Sequence, residues 1–253
     1  MEVGYECCGG LDVQAKTVVA CLVTKGRKEI RTFATMTEEL LQLGDGLTSA
    51  GCTHVAIEST GVYGKPVFNI LESLLTVILV NARHIKAVPG RKTDVRDCEW
   101  LADLLRHGLL KASFIPPLEI REVRELVRYR QTVVTEHTAV ANRITKLIES
   151  ATIKLGQVAS EVLGLSGRLM LRALAAGATN AETLAELAQG KLKRKKSELR
   201  RALAGHLPPG QRWVRAELLT REEELEAART RVEPRIGEEV AACADPFVPA
   251  AVA

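Results

Sequence analysis

The stretch HVAIESTGVYGKPVFNILESLLTVILV, residues 54–80, indicates the fold of the N-terminal half of the chain. It reads as a short apolar strand at 54–58 and a wholly apolar strand at 76–80, with Pro66 in a position to start a helix between them. Continuous apolar strands are typical of a sheet that is covered on both faces. Because a strand, a helix and a second strand follow one another, the segment predicts parallel pairing and an α/β fold.

The preceding residues extend this sheet. Residues 8–34 read as three short strands, since 18–23 is rich in β-branched side chains and 25–27 supplies a turn. Thr37 is predicted as the N-cap of a helix that runs to about residue 50. The sequence therefore predicts an α/β domain with a mixed five-stranded sheet and helices.

The composition changes after residues 116–117, which are both proline. Residues 118–157 contain no proline and a single glycine. Their apolar positions alternate in steps of three and four, broken only by Arg130, which favours a coiled-coil seam. The predicted seam comprises Ile120, Val123, Val127, Val134, His137, Ala141, Ile144, Ile148, Ala151 and Leu155. A second heptad helix carries Leu218, Leu225 and Val232, and Pro234 is expected to kink or stop it.

Both a helical hairpin and a dimerising coiled coil satisfy this pattern. The predicted organisation is a sheet domain at 1–115, an all-α coiled-coil region at 116–245 and a tail at 246–253.

Bulk composition narrows the function. The chain has 253 residues and a net charge of +4, which permits a nucleic-acid partner without demanding one. Only 4% of residues are aromatic, which argues against base stacking as the main binding mode. No membrane span or signal peptide is visible, so we expect a cytoplasmic protein without a membrane partner. The six cysteines form no paired CxxC motifs, which argues against zinc and favours reduced thiols.

Four acidic residues stand where an ordinary surface carboxylate is not expected. Asp12 interrupts an apolar strand, Glu58 ends one, and Asp94 and Asp97 open a helix directly after residues 89–93. Carboxylate oxygens suit Mg²⁺ or Mn²⁺, and two such ions about 4 Å apart can clamp an in-line phosphoryl transfer. The alternatives are a helix cap for Asp94 and a strand-end surface residue for Glu58.

Basic residues surround these acids in sequence and suit phosphate. They are Lys65, Arg83, His84, Lys86, Arg91, Lys92 and Arg96. A second basic run is predicted to contact the backbone of RNA or DNA, with a solvated helix face as the alternative. Its predicted contact residues are Lys193, Arg194, Lys195 and Lys196.

Three motifs carry a family resemblance. They are GLDV at 10–13, VAIESTGVYGKPV at 55–67 and VNARHIKAVPGRKTDVRD at 80–97. These motifs resemble those of the DEDD transposases of bacterial insertion sequences, the group that includes the Piv-type DNA invertases. The resemblance covers nearly the whole chain.

The resemblance implies a RuvC-like, ribonuclease-H-type domain whose D-E-D-D tetrad binds divalent metal. The four acids map onto Asp12, Glu58, Asp94 and Asp97. It also implies a coiled coil used in assembly into a dimer or tetramer, DNA as the substrate, and a structured guide RNA that selects the DNA.

The chain departs from the family pattern in three places. Gln14 replaces a common histidine and Gly64 a common tryptophan, and neither removes a metal ligand. Family members carry a further helical domain with a serine nucleophile, and we expect this chain to be truncated before it. Ser166 lies in a different motif and is not assigned as that nucleophile.

Three hypotheses follow. The first is a transposase or site-specific recombinase subunit that cleaves and transfers DNA strands with metal. The second is a non-catalytic fragment that binds nucleic acid and dimerises. The third is a phosphotransferase of the sugar-kinase type, and the absence of a glycine-rich nucleotide motif argues against it.

Overall fold

The structure, a computed structural model, describes residues 3–58, 61–81, 94–205 and 208–243, without the side chains of residues 94–96 and 209. The chain divides into two compact units, Met1–Ile115 and Pro116–Ala253, which we call the first and the second unit. No helix in the described ranges is both long and apolar enough to cross a membrane. The tail predicted at 246–253 and residues 82–93 lie outside the described residues.

The first unit is a mixed five-stranded sheet with helices. The strands are β1 Cys7–Val13, β2 Thr17–Thr24, β3 Arg27–Ala34, β4 His54–Glu58 and β5 Thr76–Val80. Their order across the sheet is β3-β2-β1-β4-β5. Strands β1 to β3 pair antiparallel, whereas β4 is parallel to both β1 and β5. The fold class predicted from the sequence is therefore confirmed.

Helices cover both faces of this sheet. They are α1 Thr37–Ser49, α2 Gly64–Leu71 and α3 Asp94–Arg106. Leu11 and Ile57 pack in one core cluster with residues of α1 and α2, whereas Cys21 and Ala56 pack in another with Leu101 of α3. Since neighbouring residues of a strand face opposite sides, the central strands are buried on both faces, which explains their continuous apolar sequence.

Helix α3 lies directly on the backbone of β1 at Gly10. A Cβ atom at this glycine would lie 2.2 Å from the carbonyl oxygen of Cys98 and 2.5 Å from the amide nitrogen of Ala102. The Cys8 thiol donates to the Ala102 carbonyl at 3.7 Å, and the Gly4 amide donates to Arg106 at 2.9 Å. Helix α3 therefore runs antiparallel to β1 and begins at the carboxyl end of that strand.

The predicted cap of α1 is wrong. The N-cap is Met36, without a side-chain hydrogen bond, and Thr37 is already helical. Instead, the carboxylate of Glu39 accepts a hydrogen bond at 2.5 Å from the backbone amide of Ala34. This acid in the first turn also complements the positive end of the helix dipole, so the helix start is stabilised without a capping hydroxyl.

The cysteine thiols are free, as expected for reduced cysteines. Burial raises the pKa of the Cys8 thiol to about 11 and that of Cys52 to about 12. Both thiols are therefore protonated at neutral pH, and a protonated thiol is a poor nucleophile and metal ligand.

The second unit is all α. Its helices are α4 Leu118–Ser150, α5 Leu165–Ala175, α6 Ala181–Glu186, α7 Lys196–Ala202 and α8 Pro209–Ala242, with 3₁₀ turns at Leu155–Gln157 and Gly190–Lys195. The two long helices lie antiparallel: Arg130 pairs with Glu233 at 3.0 Å, and Arg215 donates to the carbonyl of Leu147 at 3.1 Å. Of the two alternatives left open by the heptad pattern, the structure pairs the helices within one chain.

The predicted seam of α4 is shifted by one residue over part of its length. Val133 and Val140 are buried, whereas the predicted Val134 and Ala141 are half-buried and Val127 is 40% exposed. The sequence has apolar doublets at these places, so a repeat of three and four residues fits either member of each doublet. In each doublet, packing against the other helices decides which of the two residues is buried.

Other predicted seam positions are as expected. Val123, Ile144 and Ile148 of α4 are buried, as are Leu225 and Val232 of α8. Of the two effects expected of Pro234, a kink or a stop, the structure excludes the stop, because α8 continues to Ala242.

Two charged side chains are fully buried in the second unit. One carboxylate oxygen of Glu222 accepts hydrogen bonds from Arg168 at 2.5 Å and from His137 at 2.9 Å. Arg215 donates to a backbone carbonyl of α4, and its burial lowers its pKa. Predicted seam residue His137 is therefore a packed interface group that pairs with a buried acid.

Gly10→Ala is expected to lower the free energy of unfolding by about 2–3 kcal/mol, because its methyl group would meet helix backbone atoms that cannot rotate away. Gly46→Ala is the matched control: a Cβ at this position of α1 meets nothing within 4 Å, and alanine favours helix. Urea denaturation followed by circular dichroism measures both. Equal stabilities of the two variants would contradict the close contact.

Glu222→Gln is expected to cost roughly 2–3 kcal/mol of unfolding free energy, because it removes the charge that Arg168 and His137 face in a buried site. Glu224→Gln removes an exposed acid whose ion-pair partner is Arg221 on the same helix, and should cost under about 0.5 kcal/mol. Thermal and urea melts of both variants give the comparison. If Glu224→Gln lowers the free energy of unfolding as much as Glu222→Gln does, the buried ion pairs of Glu222 do not stabilise the fold more than an exposed pair.

Candidate functional site

Two of the four predicted acids lie side by side at the carboxyl edge of the sheet. Strands β1 and β4 are parallel, and Leu11 is in register with Ile57, so Asp12 and Glu58 are the next residues on strands about 4.8 Å apart. Leu11 and Ile57 face α1 and α2. Because side chains alternate, Asp12 and Glu58 face the side that α3 covers.

Asp12 is nearly buried, with 9% of its surface exposed. The side-chain amide of Gln14 donates a hydrogen bond at 3.3 Å to its Oδ2 atom. A carboxylate is costly to remove from water unless hydrogen bonds or a cation compensate it. The position therefore suits an acid that is compensated either by hydrogen bonds within the fold or by a positive ligand.

Helix α3 brings the third acid towards the same edge. Asp97 lies in the first turn of α3, directly before Cys98, whose carbonyl sits over Gly10. A hydrogen bond from Cys21 lowers the pKa of the Cys98 thiol, and the negative charge of Asp12 is near enough to oppose that shift. Asp94 is the first residue of α3, as predicted, but its side chain lies outside the described residues.

The predicted acids offer carboxylate oxygens, which are the ligands that hard divalent cations such as Mg²⁺ and Mn²⁺ prefer. In the described part of the chain, however, no three side chains of the His, Cys, Asp or Glu type come close enough together to hold a metal ion. The structure thus brings Asp12, Glu58 and Asp97 to one edge without closing a coordination site.

The predicted phosphate contacts of the first unit are only partly described. Lys65 is exposed in the first turn of α2. Arg83, Lys86, Arg91 and Lys92 lie outside the described residues, and so does the side chain of Arg96.

The basic run predicted at 193–196 belongs to the second unit, and its members differ in their surroundings. Lys193 and Arg194 are exposed on the 3₁₀ turn, and Lys195 donates at 3.4 Å to the carbonyl of Val158. Lys196 forms an ion pair with Glu186.

One residue of the candidate site was missed as a functional group. The sequence marks Gln14 as a departure from the family pattern and predicts no role for it, yet its side chain donates a hydrogen bond to Asp12. A usable signal was its spacing, because a residue two places after the acid tends to face the same side of a strand.

Comparison with known proteins identifies the family. Residues 9–153 match the sequence model of the IS110-type DEDD transposases, which is described as a transposase family. The chain belongs to the IS110-type DEDD transposase family. The matched range contains all four predicted acids.

No curated protein matches the transposase chain. Among solved structures, this chain is similar to "T. thermophilus RuvC in complex with Holliday junction substrate", with 11% identity and a TM-score of 0.31. The similarity covers 43% of this chain and 100% of that chain.

If Asp12 is a metal ligand, Gln14→Leu is expected to weaken binding of Mn²⁺ about tenfold, because Asp12 loses a donor that orients its carboxylate. Gln14→His, which introduces the residue common in the family, should restore binding. Titration calorimetry with Mn²⁺ measures the affinity, and circular dichroism checks the fold. Equal affinities of the wild type and the leucine variant would show that Gln14 has no part in the site.

Proposed function

We propose that the first unit carries out metal-dependent cleavage and transfer of DNA strands, with Asp12, Glu58, Asp94 and Asp97 binding one or two Mg²⁺ or Mn²⁺ ions. The observation that carries the proposal is the parallel register of β1 and β4, which sets Asp12 beside Glu58 on the face crossed by α3. The family match supports the reaction class, since its members are transposases.

Each acid has a defined part in this proposal. Asp12 is held by the central strand and oriented by Gln14, and Glu58 is held by the neighbouring strand. Asp97 comes from a helix whose backbone packs directly on Gly10 of β1. When bound, divalent ions would stabilise the charge that develops on the phosphate during in-line displacement.

Basic side chains would hold the DNA backbone beside the acids. Helix α2 begins six residues after Glu58, so Lys65 enters from the same edge of the sheet. The segment with Arg83, Lys86, Arg91 and Lys92 connects the end of β5 with the start of α3, both at this edge, and Arg96 follows in α3. Arginine binds phosphate oxygens with its forked donors, and lysine binds them as a point charge.

Family resemblance is the support for two further parts of the proposal. A structured guide RNA would select the DNA, and the long helices would contribute to a homo-oligomer, a dimer or a tetramer. Both concern partners and leave the assignment of the acids unchanged.

A second candidate function is a non-catalytic nucleic-acid-binding module. It is favoured by the observation that the acids in the described ranges do not form a group of three that could hold a metal. In that case the acids would contribute to the fold, and DNA binding would not depend on divalent metal.

Asp12→Asn and Asp97→Asn are expected to raise the dissociation constant for Mn²⁺ more than tenfold, because each removes an anionic ligand. Asp45→Asn is the control, since it removes an exposed acid on α1. Calorimetry measures the affinity, and nicking of supercoiled plasmid with and without Mn²⁺ measures the reaction.

The two candidate functions give different results in this experiment. Nicking by the wild type that is lost in Asp97→Asn and kept in Asp45→Asn supports the catalytic assignment. Unchanged Mn²⁺ affinity in Asp97→Asn contradicts the tetrad. DNA binding by the wild type without any metal affinity supports the non-catalytic module.

A further inference from the structure

The second unit carries a strongly basic segment at residues 190–201. It contains seven basic residues and one acidic residue, although the whole chain has a net charge of only +4. The segment comprises the 3₁₀ turn Gly190–Lys195 and most of α7. Such a concentration of charge either neutralises acidic neighbours in the fold or remains available to an anionic partner.

The cations of α7 are partly committed within the fold. Lys196 pairs with Glu186 of α6, and Arg200 lies 3.7 Å from Glu186 and 3.8 Å from Glu182. The hydrogen bond from Lys196 lowers the pKa of Glu186. These two cations therefore connect α7 with the acidic side of α6.

The cations of the 3₁₀ turn differ from those of α7. Lys191, Lys193 and Arg194 are exposed, and in the described ranges no carboxylate lies within ion-pair distance of them. Residues three apart eclipse one another in a 3₁₀ helix, so Lys191 and Arg194 stand on one line about 6 Å apart along the axis. We call Lys191, Lys193 and Arg194 the basic ridge.

The ridge borders a notch of about 350 Å³ in the second unit. Lys191 lines this notch together with Gly164 and Leu165 at the start of α5, where no side chain caps the helix. The N-terminal end of a helix is the positive end of its dipole, which adds to the field of the ridge. One of the lining residues, Glu161, is acidic.

We propose that the basic ridge binds the sugar–phosphate backbone of duplex DNA, whereas Lys196 and Arg200 hold α7 against α6. Residues 181–205 contain no aromatic side chain, so this surface suits phosphates and not unstacked bases. The inference rests on DNA as the partner in the proposed function and is independent of the metal site.

The experiment compares two double variants with the same change in net charge. Lys193→Gln/Arg194→Gln removes two cations of the ridge, and Lys196→Gln/Arg200→Gln removes the two that pair with acids. Fluorescence anisotropy with a labelled 30-base-pair DNA duplex, in EDTA and at several KCl concentrations, gives the salt dependence of binding for the full chain.

The plot of log K against log salt has a negative slope. In the ridge variant this slope is expected to be shallower by about 1.8, since each lost phosphate contact removes about 0.9. When KCl is raised from 50 to 200 mM, the fold-decrease in affinity should therefore be about ten times smaller for the ridge variant than for the wild type. The Lys196→Gln/Arg200→Gln variant should keep the wild-type slope and melt at a lower temperature.

Three results would overturn the inference: an unchanged slope in the ridge variant, an equal decrease in both double variants, or a decrease that is seen with duplex RNA but not with duplex DNA. Lys191→Gln/Arg194→Gln removes the eclipsed pair of the same ridge. It should reproduce the decrease, and it takes the place of the first ridge variant if that one fails to fold.

EDTA keeps this test separate from the tetrad. If the wild-type chain binds Mn²⁺ but shows no salt-dependent DNA binding, the proposal that the basic ridge binds DNA is contradicted, whereas the proposed metal site is not.

Discussion

The contact between helix α3 and strand β1 at Gly10 is the constraint on which the first unit depends. Backbone meets backbone there, since a methyl group on Gly10 would lie 2.2 Å from a helix carbonyl. Such a contact leaves little freedom for the helix, because main-chain atoms have no rotamers to change. The first turn of α3, with Asp97, is thereby fixed near the strand that carries Asp12. The parallel pairing of β1 with β4 adds Glu58 to the same edge.

In the second unit, a buried charge has a comparable role. Glu222 is fully enclosed and meets His137 of α4 and Arg168 of α5. A shift of α4 by one residue against α8 would still bury apolar side chains, because the seam contains apolar doublets. It would, however, separate Glu222 from His137 and leave Arg168 as its remaining ion-pair partner, and removing a partner from a buried charge is destabilising. The polar contact therefore distinguishes between registers that apolar packing leaves nearly equal.

Much of the fold could be predicted because its signals are local. The five strands, the helical start at Asp94 and the long helices all follow from periodicity and composition within short windows. The errors arose where two local solutions are nearly equal in energy. Met36, not Thr37, occupies the N-cap position of α1, and Glu39 of the first turn accepts a hydrogen bond from the amide of Ala34 in β3. Helix α8 continues through Pro234 to Ala242, although proline removes a helix hydrogen bond.

The sequence by itself determined the chemical types: carboxylates at strand ends, a concentration of lysine and arginine, and the motifs of a transposase family. Only the tertiary structure decided which of these groups are neighbours. Lys193 and Lys196 are alike in sequence, yet one is exposed on a turn and the other pairs with Glu186 on a separate helix. The physical reason is that ion pairs and hydrogen bonds act over a few ångströms, and the folded chain sets those distances between residues that are far apart in sequence.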